Sequence, residues 1–132
     1  MTGNEKIDGG TGASILVVDD DPHILDLLQV VLEEHRHKVF VAIDGNRALE
    51  ILEKHKGIDL VITDIIMPGK EGIGLIRSIR MNDKNIKIIA ITSATNYERI
   101  LNTAMGFGAD AALKKPFAIN ELISKVDLLI AG

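Results

Sequence analysis

Five short apolar runs alternate with five stretches of helical periodicity, and this alternation leaves the chain very few folds. The runs lie at 14–19, 39–43, 59–63, 86–91 and 111–114, and most are rich in Ile, Val and Leu. Their length and β-branched content suit strands buried on both faces. Between them, apolar residues recur three and four positions apart, as in helices with one inward face. Pro22 opens the first helix, where its missing N–H costs nothing, and Ile24, Leu27, Leu28 and Val31 form the expected stripe. Asp44-Gly45 reads as a turn before a helix at 47–56 with Ala48, Leu49 and Leu52 inward. Met67-Pro68-Gly69 breaks the chain before a third helix at 71–80. Tyr97, Ile100, Leu101 and Ala104 mark the fourth, which Gly106 and Gly108 are expected to end. Ile119, Leu122, Ile123, Val126 and Leu129 give the last helix its stripe.

Strand and helix in strict alternation imply an α/β fold, a doubly wound parallel sheet of (βα)5 type covered on both faces. In the flavodoxin-like strand order 2-1-3-4-5, ligands bind where the order reverses, between the carboxyl ends of strands 1 and 3. Residues 1–13 are polar, hold four glycines and show no period, so they read as a flexible tail. Residues 14–132 read as one domain, with no repeat and no long linker.

Strands 1 and 3 are the two that end in aspartate. The first runs into Asp19, Asp20 and Asp21, and the third into Asp64. The fourth ends in Thr92 and the fifth in Lys115. In a parallel sheet these ends share one edge, which gathers carboxylates, a hydroxyl and an ammonium in one crevice. Ionised acids crowded together repel one another unless a cation neutralises them. Mg2+ suits such a site, because it takes hard oxygen ligands and shares its shell with phosphate. Asp20 and Asp64 are the first candidates for ligands, Asp19 follows directly or through water, and the backbone carbonyl of Ile66 could complete the shell. Asp64 is the best nucleophile, since a carboxylate can attack phosphorus and form an aspartyl phosphate. Lys115 and Thr92 would then meet the phosphoryl oxygens with a point charge and a hydroxyl.

Each residue also has an ordinary alternative. Asp21 before Pro22 reads best as a helix cap. Asp64 could be a turn residue, Thr92 a cap and Lys115 a solvated surface lysine. Only their joint placement at four strand ends favours the functional interpretation. His23, His35, His37 and His55 read as solvated, although His35-x-His37 could touch a metal.

Composition excludes several other classes. The net charge of −4 argues against nonspecific nucleic-acid binding. Without cysteine there is no disulfide, thiolate nucleophile or cysteine zinc site. No stretch has the length of a membrane span, and the N-terminus lacks an apolar signal core, so a cytoplasmic protein is expected.

At these same residues the chain resembles the receiver domain of bacterial two-component response regulators. Ile15-Leu16-Val17-Val18-Asp19-Asp20-Asp21-Pro22 resembles the opening acidic motif of that family. Asp59-Leu60-Val61-Ile62-Thr63-Asp64-Ile65-Ile66-Met67-Pro68-Gly69 resembles the segment around its phosphoacceptor. Ala90-Ile91-Thr92-Ser93-Ala94 matches its switch hydroxyl segment. Gly108-Ala109-Asp110 and Leu113-Lys114-Lys115-Pro116-Phe117 match its lysine segment, and the order and spacing of all four also fit.

The resemblance implies that a phosphohistidine on a sensor histidine kinase or histidine phosphotransfer protein donates to Asp64 in a Mg2+-dependent step. It implies that the face of fourth helix, fifth strand and fifth helix then changes for a downstream protein target. The domain would be a monomer or a weak dimer through that face. It would be no enzyme beyond its own phosphorylation and dephosphorylation. A cis Lys115–Pro116 bond is also implied. The absence of an output domain after Gly132 suits a stand-alone receiver or an excised one.

Two positions depart from, or inflect, the pattern. Ala112 stands where the family usually has an aromatic ring that moves with the switch hydroxyl. Ile66 is bulky and apolar two residues past Asp64, and it is expected to shield the acyl phosphate from water. Equal lifetimes of phospho-Asp64 in wild type and Ile66→Asn would refute that expectation. A haloacid-dehalogenase-type phosphatase is a rival, but the chain lacks that family's Asp-x-Asp with Thr close behind. A degenerate receiver that only binds protein is another, and the intact Asp20, Asp64, Thr92 and Lys115 speak against it. A dinucleotide site fails because no Gly-x-Gly-x-x-Gly follows the first strand.

Overall fold

The computed structural model describes residues 12–65, 72–93 and 97–131. In chain order these form β1 (Ser14–Val18), α1 (Pro22–Glu34), β2 (Lys38–Ala42), α2 (Gly45–Lys54) and β3 (Leu60–Asp64). Then come α3 (Gly72–Asn82), β4 (Lys87–Thr92), α4 (Tyr97–Phe107), β5 (Ala111–Lys114) and α5 (Ile119–Ala131). The strands make one parallel sheet in the order β2-β1-β3-β4-β5, the flavodoxin-like order expected.

Helices cover both faces. Leu16, Val18, Val61, Ile88 and Ala90 point to α2, α3 and α4, where they meet Ala48, Ile51, Leu75, Ile76, Ile79 and Ala104. Ile15, Val17, Leu60, Ile62, Ile89, Ile91 and Leu113 point to α1 and α5, against Leu25, Leu28, Leu32, Leu122 and Val126. All five residues of β3, the middle strand, are buried, which explains why its sequence does not alternate.

Several details differ from the expectations. The stripe of α1 is Leu25, Leu28 and Leu32, while Leu27 is 47% exposed. Nearly every position from 24 to 32 is apolar, so periodicity alone admits more than one inward face. Asp44 caps α2 by accepting from the Arg47 backbone N–H, so that helix begins at Gly45 and ends by His55. Gly106 lies inside α4. Gly108, at φ +122°, provides the left-handed exit that a side chain would strain. Ala13, assigned by sequence to the tail, is buried, and its carbonyl accepts from Lys38 N–H.

His37 corrects the solvated assignment of the histidines. Its ring is buried, and its Nδ1 accepts the Ala13 backbone N–H at 3.0 Å. Burial, countered by the charge of Asp127 and reinforced by that of His35, holds its pKa below the ordinary value. Met67-Pro68-Gly69 lies outside the described residues.

Candidate phosphoryl-transfer site

Four chain segments bring the site together at the carboxyl edge of the sheet. β1 ends at Val18, and Asp19 continues in its direction because its N–H donates to the Ala42 carbonyl. The backbone N–H of Asp21 then donates to Asp19 Oδ1 at 2.9 Å and fixes that carboxylate. Asp21 itself caps α1 by accepting the His23 N–H at 2.9 Å, as its position before proline suggests. Its pKa is lowered chiefly by that backbone bond.

Asp64 closes β3 and is buried. The Thr63 hydroxyl donates to the Asp64 carbonyl at 2.9 Å, and Ile65 N–H donates to the Ile91 carbonyl. α3 sits directly against this turn. A Cβ on Gly72 would lie 2.3 Å from the Asp64 carbonyl oxygen, so only glycine lets the helix approach so closely. Thr63 and Gly72 are functional supports that the motif spacing did not reveal. Glycine opening a helix just past a strand-end aspartate was the available signal for the second.

Lys115 binds the two acidic strand ends together. Its Nζ donates to Asp19 Oδ2 at 2.7 Å and to Asp64 Oδ2 at 2.8 Å. The lysine side chain is 17% exposed and the two carboxylates less still. Burial alone would lower the lysine pKa, but bonding to Asp19 and Asp64 and their negative charge outweigh it and raise the pKa above 10.5. The Lys115 backbone N–H donates to the Thr92 carbonyl, which ties the end of β5 to the end of β4. The Lys115–Pro116 peptide is cis, as the resemblance implied. Thr92 is fully buried on the sheet face that carries α4.

Carboxylate oxygens of Asp19, Asp20 and Asp64 lie within 4.8 Å of one another, and Asp20 is open to solvent. Three carboxylates against one ammonium leave a formal charge of −2, the charge that one divalent cation cancels. The donors are all hard oxygens and one side is open, so the residues fit Mg2+ with water in its shell. No other cluster of this kind occurs among the described residues, and His35 and His37 take no part in it. Ile66, the expected carbonyl ligand and water shield, lies outside the described residues. Ala112 pairs with Ala90 across β4 and β5 and faces the side opposite Leu113, so a small side chain lies beneath α4 where a ring was anticipated.

Residues 15–127 match the family model of the response regulator receiver domain. The transcriptional regulatory protein CpxR of Escherichia coli (strain K12) is 34% identical over 116 residues, which cover 88% of this chain and 48% of that protein. The chain thus spans about half the length of the curated relatives it matches. Among solved structures, a response regulator receiver domain protein from Clostridium thermocellum is 30% identical with a TM-score of 0.84, covering 90% of this chain and 94% of that one. The response regulator TrrA of Thermotoga maritima, solved in complex with Mg(2+)-BeF, is 38% identical with a TM-score of 0.79, covering 89% and 98%. Fold, acidic crevice and sequence agree, and the chain belongs to the response regulator receiver domain family of two-component systems.

Proposed function

We propose that Asp64 is the phosphoacceptor of this domain. The observation that carries this is the Asp64 carboxylate at a strand end, bonded to Lys115 at 2.8 Å and sharing an acidic cluster with Asp19 and Asp20. An Asp64 oxygen attacks the phosphorus of a phosphohistidine. The P–N bond breaks, its electrons pass to the imidazole, and the imidazole nitrogen takes up a proton. Asp64 acts as a carboxylate, so it needs no general base.

Asp19, Asp20 and Asp64, with the Ile66 carbonyl, would hold Mg2+. When bound, the ion would supply positive charge to the phosphoryl oxygens and to the carboxylates around them. Lys115 then turns from Asp64 to a phosphoryl oxygen while keeping Asp19, and Thr92 donates its hydroxyl to another. TrrA, the relative solved with Mg(2+)-BeF, supports this assignment. The donor is a sensor histidine kinase or a histidine phosphotransfer protein. The output is a changed α4-β5-α5 face offered to a protein target, and nucleic acid is not contacted directly. The domain works in the cytoplasm, catalyses only its own phosphorylation and dephosphorylation, and is a monomer or a weak dimer through that face. Among the described residues no helix is long and apolar enough to cross a membrane.

Mass spectrometry after incubation with acetyl phosphate and Mg2+ tests the proposal. One phosphoryl group is expected on the wild type and none on Asp64→Asn. An unmodified wild type, or a modified Asp64→Asn, would overturn it.

A further inference from the structure

Arg80, near the end of α3, bonds to more segments than any other described side chain outside the acidic site. Its Nε and Nη2 both donate to the Gly108 carbonyl, at 3.2 and 2.7 Å. Its Nη1 donates to the Ile86 carbonyl at 2.7 Å and reaches the Asp83 carbonyl at 3.4 Å. Nη2 also meets Asp110 Oδ2 at 3.0 Å, and the same oxygen accepts the Ile88 N–H at 2.8 Å. One guanidinium therefore joins the end of α3, the entry to β4 and the turn from α4 into β5. Its side chain is 21% exposed, so these bonds are only partly screened by water. Gly108 is shaped for the contact. At φ +122° it turns its carbonyl to Arg80, and a Cβ there would lie 3.0 Å from the arginine side chain.

The opposite ends of these two helices are placed differently. α3 begins at Gly72 against the Asp64 carbonyl, and α4 begins five residues after Thr92. Both helices thus start at the carboxyl edge, where the site lies, and both are fastened at the far edge by the same side chain.

We propose that Arg80 is a fixed pivot for α4, so that the helix moves by swinging its Tyr97 end about a clamped Gly108 end. The role in signalling rests on the phosphoacceptor assignment, but the pivot itself belongs to the unphosphorylated fold. α4 is eleven residues long, about 16 Å. A local change near Thr92 is then converted into a tilt that is largest near Tyr97 and smallest at Phe107.

Hydrogen exchange resolved by residue tests this in two arms. In unphosphorylated wild type, the amides of Met105, Phe107, Gly108 and Ala109 are expected to exchange more slowly than those of Leu101 to Thr103, the reverse of ordinary fraying. In Arg80→Gln the first set should speed up about tenfold, with the second changed less than about twofold. Asp110→Asn, which removes the ion pair but keeps the carbonyl bonds, should give a smaller effect in the same direction. It guards against a variant that merely fails to fold. Equal exchange of the two sets in wild type, or equal acceleration of both in Arg80→Gln, would overturn the pivot.

In the second arm, acetyl phosphate and Mg2+ should change exchange in wild type only up to Thr103, and as far as Ala109 in Arg80→Gln. A change that reaches Ala109 in wild type would also overturn it. If the mass of the protein does not rise, the phosphoacceptor assignment fails, and the first arm still decides the pivot.

Discussion

Replacing Lys115 by methionine isolates the ammonium, because the methylene stem remains to pack. Nζ lies 2.7 Å from Asp19 and 2.8 Å from Asp64. At an effective dielectric of about 20, each pair is worth roughly 6 kcal/mol of gross Coulomb energy. Desolvation of three buried groups offsets most of that, and breaking such a pair costs about 3–5 kcal/mol net. The cluster is open on its Asp20 side, so the expected loss is near the low end, about 3 kcal/mol. At neutral pH the full effect applies. A lysine pKa raised in the folded state gives stability that is complete below 10.5 and lost only as pH rises through the raised value.

The same substitution takes the formal charge of the cluster from −2 to −3, so Mg2+ should bind the variant more tightly. For each tenfold gain in affinity, saturating Mg2+ narrows the stability gap by about 1.4 kcal/mol. Urea unfolding of both proteins in EDTA and in excess Mg2+ supplies the four numbers. A gap that is the same in both buffers, or no gap in EDTA, would show that the ammonium does not stand in for a cation.

Gly72→Ala should lose about 1–3 kcal/mol in thermal unfolding, because the added Cβ would meet Asp64 and Ile65 backbone atoms at 2.3 to 2.8 Å and backbone cannot yield. Unchanged stability would refute that contact. Asp21→Ala should lower the thermal midpoint by loss of the α1 cap while Mg2+ affinity stays within about twofold, whereas Asp20→Asn should weaken Mg2+ without unfolding. Titration of Mg2+ by calorimetry separates the cap from the ligand. His37 binds its proton less readily when folded than when unfolded, so its contribution is full above pH 6.5 and lost as pH falls from 6.5 through the lower folded value. Wild type should therefore lose stability relative to His37→Gln on acidification through that range, and parallel curves would exclude the role given to the Ala13 bond.

The elements were legible because short apolar runs alternate regularly with stretches of helical periodicity, the pattern that a parallel sheet covered by helices requires. Their exact ends were less so. Asp59 reads as part of a strand, yet its carboxylate accepts the Ser14 N–H, and β3 begins one residue later at Leu60. At the site, the motif residues were legible through their place at strand ends, where topology makes distant positions neighbours. The supports were not. Thr63 acts through its bond to a backbone carbonyl, Gly72 by lacking a side chain, and Arg80 by bonding to three backbone carbonyls, one of them 28 residues away. Backbone partners leave no mark in a sequence. The burial of His37 is hidden from the sequence for the same reason, since its partner is a backbone N–H 24 residues away.

The bond between Lys115 and Asp19 spans 96 positions. During synthesis the first aspartate leaves the ribosome long before the lysine that steadies it. No nascent chain shorter than about 115 residues holds the complete crevice, and a partly folded one with β5 undocked lacks its only described cation. Readiness to receive the phosphoryl group thus certifies that the last strand is in place. With β5 undocked, Asp19 and Asp64 keep their negative charge without the ammonium that offsets it.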